Sequence, residues 1–339
     1  MRRQSYSGKN GKLKALVTGA AGFIGSHLCE LLLHRGYQVV GIDNLRVGRQ
    51  SNLELPLQTS RFSFVKLDVA AEFEEIDTDF DVIFHLAALA DIVPSITNPS
   101  EYFYSNVAGT LNVMEFARAN RIQKVVYSAS SSCYGIPDEF PTSEAMPTKP
   151  EYPYALTKLL GEQILLHWGK VYNIDVTSLR FFNVYGPRAR TSGTYGAVFG
   201  VFLAQKFAGR PLTIVGDGEQ TRDFTHVSDV VDALLLASQV GLPSTIYNVG
   251  SGGTYSINDL ANKIGGPSVN IPKRPGEPDC TFADISRIKS ELGWEPKISF
   301  DQGVSLMLEN ISEWKEAPVW EKESIADATS SWFKFLGKG

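Results

Sequence analysis

The chain has 339 residues, 43% of them hydrophobic and 20% charged, with a formal net charge of −5. That is enough polypeptide to bury a core in two domains, or in one large α/β domain with an appended lobe, and fibrous and disordered classes are excluded. No apolar run approaches the roughly 18 residues of a membrane span, and the basic residues form no stripe, so neither a membrane nor a nucleic acid is an expected partner.

In chain order, 1–13 is polar and basic and reads as a solvated tail; without an apolar stretch there, the expected location is cytoplasmic. From Lys14 onward, short β-rich runs alternate with helical patterns, the grammar of βαβ units. Strands are predicted over 14–18, 38–42, 62–66, 82–85, 124–128 and 175–180, with helices over 22–35, 102–120 and 154–171. The expected fold is α/β, a doubly wound parallel sheet with helices on both faces. After about residue 181 glycine and proline accumulate, with helices predicted over 198–208 and 227–239 and a returning strand over 245–249. This predicts a smaller, interwoven α/β lobe, mainly 181–308, followed by a helical appendage, 309–339, holding Trp314, Trp320 and Trp332. Cys29, Cys133 and Cys280 are expected to be reduced. The five histidines include no pair at ligand spacing, so no metal is expected.

The string Thr18-Gly19-Ala20-Ala21-Gly22-Phe23-Ile24-Gly25 lies where the first strand hands over to the first helix. There Gly19 permits a tight turn, Gly22 lets the backbone approach a pyrophosphate, and Gly25 lets helix and strand pack closely. Asp43, ending the second strand, is placed to accept hydrogen bonds from an adenosine ribose, and its charge opposes a 2′-phosphate. NAD is therefore favoured over NADP, although Arg46 and Arg49 follow closely. Asp68 and Val69 after the third strand are placed to meet the adenine. Leu86, Ala87 and Ala88 keep the end of the fourth strand small, and His85 beside them reads as structural.

Tyr154-Ala155-Leu156-Thr157-Lys158 puts a phenol and an ammonium four residues apart on one helix face. A tyrosine titrates near pH 10, so making it a base near neutrality requires lowering its pKa by about three units, roughly 4 kcal/mol. An ammonium about 4 Å away at an effective dielectric near 20 supplies about 4 kcal/mol. Upstream, Ser128-Ala129-Ser130-Ser131-Ser132-Cys133-Tyr134-Gly135 closes the fifth strand, and the Ser130 hydroxyl could share a proton with the phenol and a substrate hydroxyl.

Taken together, these segments resemble the extended short-chain dehydrogenase/reductase superfamily, closest to its nucleotide-sugar 4-epimerases, from about Lys14 to about Phe300. The resemblance implies a Rossmann-type domain over 14–180 with return segments near 225–250, and a tightly held NAD. Tyr154 is then the base, Lys158 the ribose ligand and Ser130 the proton-sharing hydroxyl. It places Gly19, Ala21, Gly22, Phe23, Ile24, Asp43, Asn44, Asp68, Val69, Leu86, Ala87, Ala88, Asn106, Ser128 and Phe181 around the cofactor. It also implies a homodimer through a four-helix bundle built from the 102–120 and 154–171 helices.

Relatives that dehydrate a sugar carry an acidic pair after the strand-five hydroxyl, and decarboxylating relatives tend to carry a Glu in that segment. Here Ser131 and Ser132 stand there, and a serine hydroxyl is a poor acid, so C4 epimerisation of a UDP-hexose is the favoured chemistry. By the same resemblance, Asn183, Arg222 and Arg274 meet the diphosphate, Glu277 the ribose, and Ala197, Val198 and Thr213 the uracil. Thr281, small at a gatekeeper position, points to N-acetylated sugars alongside glucose and galactose. Arg190 stands where glucuronate 4-epimerases bind a carboxylate, which keeps UDP-glucuronate as the alternative. A net oxidoreductase of the same superfamily would share all these residues.

Overall fold

The computed structural model describes residues 13–71, 73, 76–189 and 197–337. Arg190, singled out above, lies outside the described residues. The first half runs β1 (Lys14–Thr18), α1 (Phe23–His34), β2 (Gln38–Asp43), β3 (Phe62–Lys66), β4 (Val82–His85), α2 (Ile92–Thr97), α3 (Pro99–Tyr102), α4 (Gly109–Ala119), β5 (Lys124–Ser130), α5 (Pro153–Tyr172) and β6 (Asp175–Phe181). One helix was expected over 102–120; instead a π-helical turn over Phe103–Ala108 joins α3 to α4. A wider turn re-aims the side chains that follow it, a feature hydrophobic spacing does not reveal.

The chain then passes through β7 (Val184–Tyr185), α6 (Val198–Phe207), β8 (Leu212–Val215), β9 (Thr221–Arg222) and β10 (Thr225–His226). It returns to the main sheet by α7 (Val227–Val240) and β11 (Thr245–Val249). β12 (Tyr255–Ser256), α8 (Ile257–Ile264), β13 (Ser268–Ile271), α9 (Ser286–Leu292), α10 (Phe300–Glu309) and α11 (Lys322–Leu336) follow.

The seven strands of the main sheet are all parallel, in the order β11-β6-β5-β4-β1-β2-β3. This is a Rossmann-type fold. β1, β4 and β5 read as continuous apolar runs because helices cover both faces. Val17, Phe84 and Leu179 pack with α1 and α7 on one side, while Leu16, Ile83 and Val125 pack with α4 and α5 on the other. The strand order reverses between β1 and β4, opening a crevice at their carboxyl ends, where ligands settle in such sheets.

The second lobe is built from the two-stranded pairs β8/β13 and β9/β12 with α6, α8 and α10. Its core is aromatic: Tyr185 stacks on Phe199 at 4.2 Å and Tyr255 on Phe300 at 4.1 Å. Trp314 is buried in this core, so the residues after 309 begin as part of the lobe before α11 leaves it.

Candidate active site

A cavity of about 700 Å³ runs from the β1–α1 turn, past the end of β5, to the second lobe. At its first end Gly19 has φ +71, and a Cβ there would stand 2.8 Å from the Ala87 nitrogen; at Gly25 it would overlap the Gly19 carbonyl oxygen. Gly22 begins α1 with no side chain capping it, which leaves the first-turn N–H groups to face the cavity. This backbone cradle, with its partial positive charge, suits an anionic pyrophosphate.

At the end of β2 the Asp43 carboxylate accepts from the Ala21 N–H (3.1 Å) and the Leu45 N–H (2.8 Å). Half of its lone-pair directions remain for ribose hydroxyls. Burial raises its pKa, opposed by those N–H bonds. Arg46 donates to Glu101 at 2.6 Å and Arg49 to the Arg188 carbonyl at 3.2 Å, so both guanidiniums already have partners within the protein. The set fits NAD better than its 2′-phosphorylated counterpart.

Asn44, Asp68, Val69, Leu86, Ala87, Ala88, Ser128 and Phe181 line the same wall. Asp68 is also a turn-forming residue, accepting from Asn44 Nδ2 and the Ala70 N–H. Ala21, within the turn, and Asn106, which holds the Leu89 N–H and carbonyl, are buried and do not line the cavity. They shape the wall from behind because their polar groups are used in fixing it. His85 is fully buried between Thr18 Oγ1 (2.8 Å) and Thr110 Oγ1 (3.0 Å), with its pKa lowered to about 3 by burial and the charge of Lys158. It is kept neutral beneath the site.

At the middle of the cavity the Ser130 hydroxyl is hydrogen-bonded to Ser132 Oγ at 2.8 Å, and Tyr154 lines the same stretch of wall. Pro153 opens α5 at its first position, and Tyr154 follows it in the first turn, at the mouth of β5. Lys158, one turn on, is buried with Nζ 4.3 Å from the centroid of the Tyr127 ring. Its pKa falls to about 7 through burial, against the opposing charge of Glu162. The spacing in sequence predicts the ammonium directly beside the phenol. In the structure, burial raises the Tyr154 pKa, opposed by the nearby Ser130 hydroxyl, and the charge of Asp91 raises it further. One helical turn separates the two side chains along α5, and Lys158 reaches down onto the Tyr127 face.

At the far end, Arg222 Nη2 lies 2.9 Å from Glu277, and Arg274 approaches the same carboxylate at 3.7 Å. Thr281 Oγ1 donates to Asn183 Oδ1 at 2.7 Å and accepts from the Asp223 N–H. Ser131, Ser132, Ala197, Val198 and Thr213 complete the lining anticipated from sequence. Three further residues were not anticipated. Tyr152 stacks near Tyr154 with ring planes 10° apart, Asp91 stands where the loop after β4 meets α2, and Trp332 arrives from α11. Tyr152, two residues before Tyr154, carried a weak local signal; Trp332 carried none.

A family model described as the NAD dependent epimerase/dehydratase family matches residues 15–250. The chain belongs to that family. It is 38% identical over 308 residues to a UDP-glucose 4-epimerase of Mycolicibacterium smegmatis, covering 88% of this chain and 98% of that one. It superposes with a TM-score of 0.82 and 32% identity on the UDP-glucuronic acid 4-epimerase of Bacillus cereus in complex with UDP-glucuronic acid and NAD, covering 89% of this chain and 99% of that chain. It superposes with a TM-score of 0.81 and 30% identity on a UDP-N-acetylglucosamine 4-epimerase of Methanobrevibacter ruminantium, covering 88% and 99%. NAD is the family's cofactor, and the cradle at Gly19–Gly25 with Asp43 is built for it. Among the described residues, no helix is long and apolar enough to cross a membrane.

Proposed function

We propose that the protein inverts C4 of a UDP-hexose, interconverting UDP-glucose with UDP-galactose, or UDP-N-acetylglucosamine with UDP-N-acetylgalactosamine. The observation that carries this reading is that Ser130, Tyr154 and Lys158 line one cavity between its glycine cradle and the second lobe. NAD held along the first wall supplies the acceptor, and then the donor, for the C4 hydrogen. Tyr154, as the phenolate, takes the proton of the C4 hydroxyl and becomes the neutral phenol, with Ser130 bridging the two oxygens. Its half-buried position inside the cavity keeps bulk water out of that transfer. When the transient 4-ketone presents its other face, the same phenol returns the proton, so the residue ends as it began.

Arg222 and Arg274 clamp the diphosphate, and Glu277 accepts from the ribose, while Ala197, Val198 and Thr213 hold the uracil. Anchoring the nucleotide this firmly leaves the sugar free to turn between the two half-reactions. The neutral hydroxyls of Ser131 and Ser132 beside Tyr154 are poor proton donors to a leaving hydroxyl, which favours epimerisation over dehydration. Thr281, tied to Asn183, leaves room for an N-acetyl group. UDP-glucuronate is the second reading, favoured by similarity at 34% identity to a UDP-glucuronate 4-epimerase of Thermodesulfobacterium geofontis. A homodimer belongs to the same proposal: α5 packs beside α4, and Phe103 and Tyr104 of the π-helical turn before α4 are exposed, as are Leu156, Val171 and Tyr172 of α5. Light scattering on the purified protein tests it, and a monomer at micromolar concentration refutes it.

The deciding experiment is proton NMR of the purified protein, without added NAD, mixed separately with UDP-glucose, UDP-N-acetylglucosamine and UDP-glucuronate. The 4-epimer should appear with no net reduction of cofactor, fastest from one of the two neutral sugars. A 4-keto-6-deoxy sugar, a pentose or accumulating reduced cofactor overturns the proposal.

A further inference from the structure

The C-terminal helix has no place in the chemistry above, yet it reaches the cavity. Its buried residues Ile325, Thr329 and Trp332 follow at intervals of four and three, so they form one stripe along α11. At the near end Ile325 packs with Val215 and Ile271 of the second lobe. Along its length α11 packs against α2, the helix that follows β4 in the cofactor lobe. The helix is therefore a strap across the two lobes.

At the far end of the stripe stands Trp332, only 4% exposed. An indole buried in a plain apolar contact would leave its N–H unsatisfied. Here Trp332 Nε1 donates to the Pro275 carbonyl at 2.6 Å, and the Arg274 guanidinium lies 5.5 Å from the ring centroid. The same loop, 272–278, has no helix or strand of its own, and Gly276 in it has φ +70. Left to itself such a loop samples many conformations, and Arg274 would have to be ordered anew at each binding event. An aromatic face under the guanidinium and a hydrogen bond to the next residue's carbonyl remove that cost before the ligand arrives.

We propose that Trp332 is a positioning residue for nucleotide binding: it holds Arg274 and the 273–277 loop in their diphosphate-binding arrangement and couples them, through α11 and α2, to the cofactor lobe. This rests on the reading of Arg274 as a diphosphate contact. It assigns to the last helix a role in affinity for the substrate's nucleotide end, whichever sugar is attached.

The test is a double-mutant cycle on the NAD-loaded protein, read as the dissociation constant for UDP by titration calorimetry, with bound NAD measured to confirm an intact cofactor lobe. Trp332→Ala should weaken UDP about tenfold, Trp332→Phe less, because it keeps a ring under the guanidinium while losing the N–H donor. Arg274→Ala should weaken UDP at least as much as Trp332→Ala, and the double variant should bind no more weakly than Arg274→Ala alone. Losses that multiply in the double variant, or Trp332 variants within twofold of the parent, overturn the inference while Arg274 keeps its role. If Arg274→Ala binds UDP like the parent, the diphosphate reading fails and the inference falls with it. Should Trp332→Ala not fold, the cycle built on Trp332→Phe decides by the same criteria.

Discussion

The two ends of the cavity are built on opposite plans. The cofactor end is built at the ends of consecutive parallel strands: Gly19 to Gly25, Asp43, Asp68 and Leu86 to Ala88 each end or follow a strand in chain order. The end we assign to the nucleotide sugar is made of side chains from distant stretches, with Arg222, Arg274, Thr281 and Trp332 spread over 110 residues of sequence. A site made from strand ends inherits its geometry from the sheet, and its sequence signal is concentrated in short strings. A site made from scattered side chains depends on how two lobes pack, and no local string carries it.

The point where the plans meet can be broken most sharply. Tyr154→Phe removes the oxygen assigned to accept the proton of the C4 hydroxyl, so turnover should fall at least a thousandfold, on the order of 4 kcal/mol, while UDP affinity stays within about twofold. Unchanged turnover would falsify the assignment. On the cofactor side, Gly25→Ala drives a methyl into the Gly19 carbonyl oxygen, backbone against backbone, and should cost at least a hundredfold in NAD affinity, measured as cofactor retained through purification. Full retention would mean that the turn is more pliable than the close packing of β1 and α1 implies.

On the substrate side, Arg222→Ala leaves Glu277 without its 2.9 Å partner and removes a charged donor to the diphosphate. Hydrogen bonds to charged groups are worth about 1.5–3 kcal/mol, so UDP should bind roughly thirtyfold more weakly, with NAD retention unaffected. A matching loss of NAD would erase the distinction between the two ends.

The smallest effect probes the support beneath the cofactor end. Burial holds His85 neutral, with a folded pKa of about 3 against about 6.5 in an unfolded chain. Between those values the unfolded chain binds a proton that the folded protein does not. Its contribution is therefore complete above pH 6.5 and is lost as pH falls, by about 1.4 kcal/mol per unit. Urea unfolding at pH 7, 6 and 5 should show a steeper loss for the parent than for His85→Asn, whatever their stabilities at pH 7. Equal slopes would mean that His85 becomes charged in place.

The amino-acid sequence by itself determined the sheet, the glycine turn and the position of Asp43 at the end of β2, because period-two and period-3.6 patterns, glycine steric limits and strand-end placement are local properties. It did not disclose the π-helical turn inside 102–120, where hydrophobic spacing is blind to one extra residue in a turn. Nor did it show that Lys158 lies on the Tyr127 ring. Sharing a helix face puts two side chains one turn apart; which way the longer one bends depends on the surrounding core. Tertiary structure alone brought Trp332 to Arg274, since a contact 58 residues apart leaves no periodic trace and arises only when α11 lies across both lobes.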